Sequence, residues 1–152
     1  MIRSAPILAG AMLMVSACHP HRGEGQGGVP GDSDSSRPFD QISSTDTLRF
    51  VGTEPFWGGE ARGGSLNYTT PSKPEGTKIA VSRFGGRNGL ALSGKLDDKT
   101  FDMTVTPGTC SDGMSDRRYP LSVTLRLGEE VREGCGWTDT RRFTKDGEPG
   151  PS

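Results

Sequence analysis

Apolar and polar residues alternate with a period of two, not 3.6, from Leu48 onward, and that restricts the chain to β-structure. In "YPLSVTLRL" Leu121, Val123, Leu125 and Leu127 share one face, while Ser122, Thr124 and Arg126 share the other. "TFDMTVT" repeats the pattern with Phe101, Met103 and Val105. "TKIAVSR" pairs Ile79 with Val81, "GLALSGKL" pairs Leu90 with Leu92, and "GSLNYTT" pairs Leu66 with Tyr68. Leu48 and Phe50 begin the series. Short turn signals separate the runs: "GG" at 63–64, "PSKPEG" at 71–76, "GGRNG" at 85–89, "LDDK" at 96–99 and "GEE" at 128–130. No segment reads as an amphipathic helix of normal length. The fold class is therefore all-β, a small antiparallel barrel or sandwich of seven to eight short strands. "VREGCGW" breaks the rhythm, because Glu133 shares parity with Val131 and Cys135, and a bulge near Gly134 is expected to restore it.

The N-terminus reads as an address. Arg3 precedes the apolar run "APILAGAMLMV" at 5–15, which falls short of the roughly 20 residues needed to span a bilayer and matches a secretory signal. "VSAC" then places two small residues before Cys18, and this resembles the lipobox of bacterial lipoproteins. The resemblance implies a signal peptide over 1–17 and a lipidated Cys18, bearing palmitate, as the mature first residue. An ordinary cleavage site ahead of a cysteine is the alternative. His19 stands where aspartate would signal inner-membrane retention, so the expected location is the outer membrane, facing the periplasm. Residues 18–45, rich in Gly, Pro, Ser and charge, read as a lipidated cysteine and disordered tether, and 145–152 as a disordered tail. His19 and His21 lie in that tether and read as solvated residues rather than a copper site.

One β-domain remains, residues 46–144. Only 30% of the chain is apolar, so its core is modest and a covalent staple is expected. Of three cysteines, lipidation accounts for Cys18 and leaves Cys110 and Cys135 to pair in an oxidising compartment. The loop they close holds about 26 residues, for which the chain-entropy model gives about 3.5 kcal/mol. Fourteen Lys/Arg against thirteen Asp/Glu leave the domain nearly neutral and without a basic run, which argues against nucleic acid as a partner.

Three stretches are not explained by periodicity: "GTEPFWGGE", "CSDGMSDRRYP" and "GCGW". Together they resemble an uncharacterised family of bacterial envelope proteins, predicted lipoproteins, that carry T-E-P-F-W, C-x-D-G-M-S-D-x-x-Y-P and a final G-C. The resemblance covers most of the domain and implies the location and the disulfide. It transfers no reaction.

The residues themselves offer little catalysis. Both histidines precede the domain, which removes Ser-His, Cys-His and three-histidine zinc arrangements. Glu54 with Asp112 or Asp116 has the chemistry of a glycan-hydrolysing carboxylate pair. Short turns leave little cleft for a sugar chain, so no catalytic residue, cofactor or metal is assigned. Asp112 and Asp116 flank Gly113 without the spacing of a calcium loop. A structural corner explains them better: Asp112-Gly113 as a turn, Asp116 capping backbone donors or pairing with Arg117 or Arg118. Phe56 and Trp57 read first as a plug for one end of a barrel and second as contacts for a sugar or protein, and Trp137 shares that ambiguity. The candidate binding surface is Glu54, Phe56, Trp57, Asp112, Asp116, Arg117, Arg118 and Tyr119. Expected function is a non-catalytic binding or structural module, with a periplasmic lysozyme inhibitor and a glycan-processing enzyme as alternatives. Expected partners are the membrane through the lipid, and an envelope protein, lysozyme or glycan.

Overall fold

The structure, a computed structural model, describes residues 38–145. The signal-like run, Cys18, both histidines, the tether up to residue 37 and the tail from residue 146 lie outside the described residues. Eight strands run up and down in sequence order. They are β1 (Leu48–Thr53), β2 (Phe56–Arg62), β3 (Ser65–Thr70), β4 (Lys73–Gly85), β5 (Leu90–Leu96), β6 (Lys99–Cys110), β7 (Arg117–Leu127) and β8 (Glu130–Thr138). A two-residue β9 (Thr144–Lys145) follows. Each strand pairs antiparallel with the next, and β8 returns to β1 from Leu48–Thr138 to Val51–Cys135, closing an eight-stranded barrel. The "LDDK" signal becomes a two-residue hairpin in which Asp97 and Asp98 take φ of 48° and 63°. Paired positive φ is what a turn needs if its twist is to match that of the flanking strands.

The sequence alternation is the alternation of lumen and solvent. Leu48, Phe50, Leu66, Tyr68, Ile79, Val81, Leu90, Leu92, Phe101, Met103, Val105, Leu121, Val123 and Leu125 are all buried. Burying each large apolar side chain contributes roughly 1.5–3 kcal/mol, and eight strands enclose only enough width for side chains to fill. Ring contacts cross the space from Phe50 to Trp57 (5.7 Å), Trp57 to Tyr68 (6.2 Å) and Tyr68 to Phe101 (5.7 Å). The lumen is a packed core.

Both ends are stoppered. Where the β2–β3 and β4–β5 turns lie, residues 39–46 cross the opening. Phe39 N–H donates to the Gly86 carbonyl (2.8 Å), and Gly63 N–H donates to the Ser44 carbonyl (2.9 Å). Ile42 is buried in the core cluster, and Arg83 Nη2 donates to the carbonyls of Ile42 (3.1 Å) and Ser43 (3.3 Å). At the opposite end Arg132 forms a two-point ion pair with Glu130 (2.8 Å each) and donates to Tyr68 Oη.

Three expectations change. The tether does not extend to residue 45, because Phe39 and Ile42 pack against the barrel. Lys145, assigned to the tail, pairs with Arg117 in β9. No bulge occurs near Gly134, since β7 and β8 keep one register from Leu121–Gly136 to Leu127–Glu130. Gly134 and Gly136 face inward without side chains. A Cβ on Gly134 would lie 2.3 Å from the Val51 carbonyl and 3.0 Å from the Trp57 ring. Register shifts lie instead between Pro107 and Cys110 and between Tyr68 and Thr70.

Candidate functional site

"CSDGMSDRRYP" is a structural corner. Cys110 and Cys135 are bonded, with Cα atoms 5.6 Å apart. Their strands, β6 and β8, are separated by β7, and neighbouring strands lie about 4.7–4.9 Å apart, so second neighbours should be roughly twice as far. The shift between Pro107 and Cys110 lets the end of β6 cross over β7 and meet β8. Beyond the disulfide, Asp112 accepts from Met114 N–H (3.0 Å), Ser115 N–H (2.9 Å), Ser115 Oγ (2.8 Å) and Tyr119 Oη (3.0 Å). Burial alone would raise its pKa, but these donors outweigh burial and bring the carboxyl down to about 2. Asp112 therefore holds the loop together as a carboxylate. Asp116, expected to share that work, is exposed and takes no part in these bonds.

Tyr119 is buried and joins Trp137 (5.5 Å) and Phe143 (5.6 Å) in an aromatic cluster apart from the lumen. Trp137 and Phe143 meet edge to face at 5.6 Å, and the Arg117 guanidinium lies 4.6 Å above the Phe143 ring. Arg118 is exposed opposite Thr144. The cluster fixes one side of Trp137 and leaves the other toward a groove on the outer face.

That groove is a shallow, open concavity of about 470 Å³, and its shape follows from register. Val51, Gly58 and Thr69 are cross-strand neighbours on β1, β2 and β3. Gly58 leaves the middle of this outward row empty; a Cβ there would sit 2.9 Å from the Phe50 carbonyl and 3.7 Å from Val51 Cγ1. One adjoining row is Trp137, Arg49, Glu60 and Asn67, again direct partners across β8, β1, β2 and β3. On the other side stand Phe56 and Pro71. Arg49 lies between Asp139 (2.6 Å) and Glu60 (3.9 Å), and the hydrogen bond it donates to Asp139 raises its pKa further.

"EPFW" divides between core and surface. Trp57 is 4% exposed and plugs the lumen, whereas Phe56 is 53% exposed and flanks the groove. Glu54, exposed in the β1–β2 turn beside a cis Pro55, is not among the groove residues. The expected surface is thus not one patch. Phe56 belongs to the groove, Trp57 and Tyr119 are buried, Asp112 is a loop cap, and Asp116, Arg117 and Arg118 are exposed around the corner. Sequence reasoning missed Arg49, Val51, Gly58, Glu60, Asn67, Thr69 and Pro71. Parity was the available signal, because Glu60 and Arg62 share the face of Phe56 and Gly58, while Gly59 and Ala61 share that of Trp57.

A carboxylate ionised down to pH about 2 makes a poor proton donor near neutrality, so in a hydrolytic pair Asp112 would have to be the ionised partner. Among the described residues no three His, Cys, Asp or Glu side chains gather as metal ligands would. Comparison of the chain with known protein families, with curated proteins and with solved structures finds no match.

Proposed function

We propose that the chain is a non-catalytic binding module of the bacterial envelope, lipid-anchored through Cys18 at the outer membrane and facing the periplasm, and that it holds its partner in the outer groove. One observation carries the reading. The lumen is filled by its own side chains, whereas the outer face carries a preformed groove between an exposed Phe56 and a braced Trp137. An exposed aromatic beside a concavity offers a ligand a flat apolar contact. An envelope protein, lysozyme or a glycan would each meet the same face.

A photo-crosslinking residue at Phe56, compared with one at Thr104 on the far side of the barrel, tests this in intact cells. Position 56 is expected to give a defined adduct in the membrane fraction, and position 104 none. Identical adducts from both positions, or none from position 56, would overturn the reading. An adduct with added lysozyme, together with loss of lysozyme activity, makes the module an inhibitor.

A further inference from the structure

The chemistry of the groove narrows its ligand. We infer that it binds a short uncharged oligosaccharide, with successive sugar rings lying along the groove from Phe56 to Trp137; this rests on the groove being the binding face.

A pyranose ring has two apolar C–H faces and a polar hydroxyl edge, so its site needs flat apolar walls and a hydrogen-bonding margin. Phe56, Val51, Pro71 and Trp137 supply the first, and the Arg49–Glu60–Asn67 row supplies the second. Trp137 is already held by Tyr119 and Phe143, so stacking on it costs little side-chain freedom. Gly58 adds no side chain to the floor between Val51 and Thr69.

Charge distinguishes neutral from ionic ligands. The cation of the margin, Arg49, is paired with Asp139 at 2.6 Å and faces Glu60 at 3.9 Å. An anionic ligand would be repelled by the two carboxylates, which outnumber the one cation, and a cationic one would have to compete with Arg49 for them. A polyol with no net charge can bond to the outer lone pairs and protons of the row without breaking it. Backbone geometry disfavours a peptide strand, because the floor strand β2 is paired along β1 on one side and β3 on the other, which occupies its main-chain donors and acceptors. A volume near 470 Å³ lies in the range of small-ligand pockets.

Titration of the purified full chain by NMR tests the inference, using neutral oligomers of N-acetylglucosamine, β-1,4-glucose and α-1,4-glucose at millimolar concentration. At least one is expected to shift the amides of Val51, Gly58 and Thr69 and the Trp137 indole N–H, leaving β5 and β6 unmoved. An oligouronate of equal length should bind more weakly. Phe56→Ala, at an exposed position, should retain the barrel spectrum and weaken binding about 2–10-fold, the worth of one aromatic contact. No shift with any neutral oligomer, equal binding of the uronate, or shifts that track protein concentration alone (a second copy in the groove) would each overturn it. A crosslink from position 56 to a protein would survive that failure, so the two readings fail separately.

Discussion

Asp112 shows how much one side chain can fix. Four donors converge on it, and its pKa of about 2 lies below the usual carboxylate value of 3.8. A carboxyl whose folded pKa is depressed stabilises the fold above the unfolded pKa and loses that contribution as pH falls through the folded one. Asp112→Ala is therefore expected to destabilise the domain by about 0.5–1.5 kcal/mol at pH 7, since its donors lose a charged acceptor but most of them can turn to water. The difference from wild type should shrink between pH 4 and pH 2. Thermal melts across that range check both parts, and equal melting temperatures at pH 7 would remove Asp112 from its structural role. The dipeptide Asp112-Gly113 made the turn legible in the sequence. Which of two aspartates caps it was not, because that depends on where Tyr119 returns.

The strands were largely legible because their inward residues are large and apolar. Leu121, Val123 and Leu125 announce β7, and Phe101, Met103 and Val105 announce β6. β8 was harder. Its lumen side is Gly134 and Gly136, whose missing side chains make room for Trp57 and Val123, so alternation carries no apolar signal there. Cys135 and Trp137 instead point outward, to the disulfide and to the aromatic cluster. The groove stayed hidden for a similar reason, being made by the absence of a side chain at Gly58. The crossing of β6 over β7 depends on Cys110–Cys135. Cys110→Ala or Cys135→Ala is expected to cost about 2–5 kcal/mol, read by denaturant unfolding. Amide exchange at Met114 and Ser115 should rise as the loop loosens. An unchanged midpoint with unchanged exchange would mean that the bulge alone holds the crossing.

At the scale of the whole barrel, stability rests on its stoppers as well as its wall. Ile42 is 4% exposed although it precedes the first strand. Its flanking Gln, Ser and Thr residues made this segment read as tether, since a single apolar residue among polar ones has no period to detect. Ile42→Ala is expected to destabilise the domain by about 2–5 kcal/mol, the range for large-to-small changes in a core, measured by urea unfolding. A loss below about 0.5 kcal/mol, typical of surface sites, would show that the segment only rests on the barrel. The closed sheet also bears on how such a protein can diversify. With its strands joined into a ring, the barrel of the described residues offers no long free margin onto which another chain could add a strand, so any partner it takes would be chosen by outward side chains. Along β1 to β3 each of those is next in sequence to an inward residue that belongs to the core. Substitution at Arg49, Val51, Glu60, Asn67 or Thr69 can change what is bound while Leu48, Phe50, Ala61, Leu66 and Tyr68 stay as they are. Descendants of one barrel can thus part ways in their partners without first having to relearn how to fold.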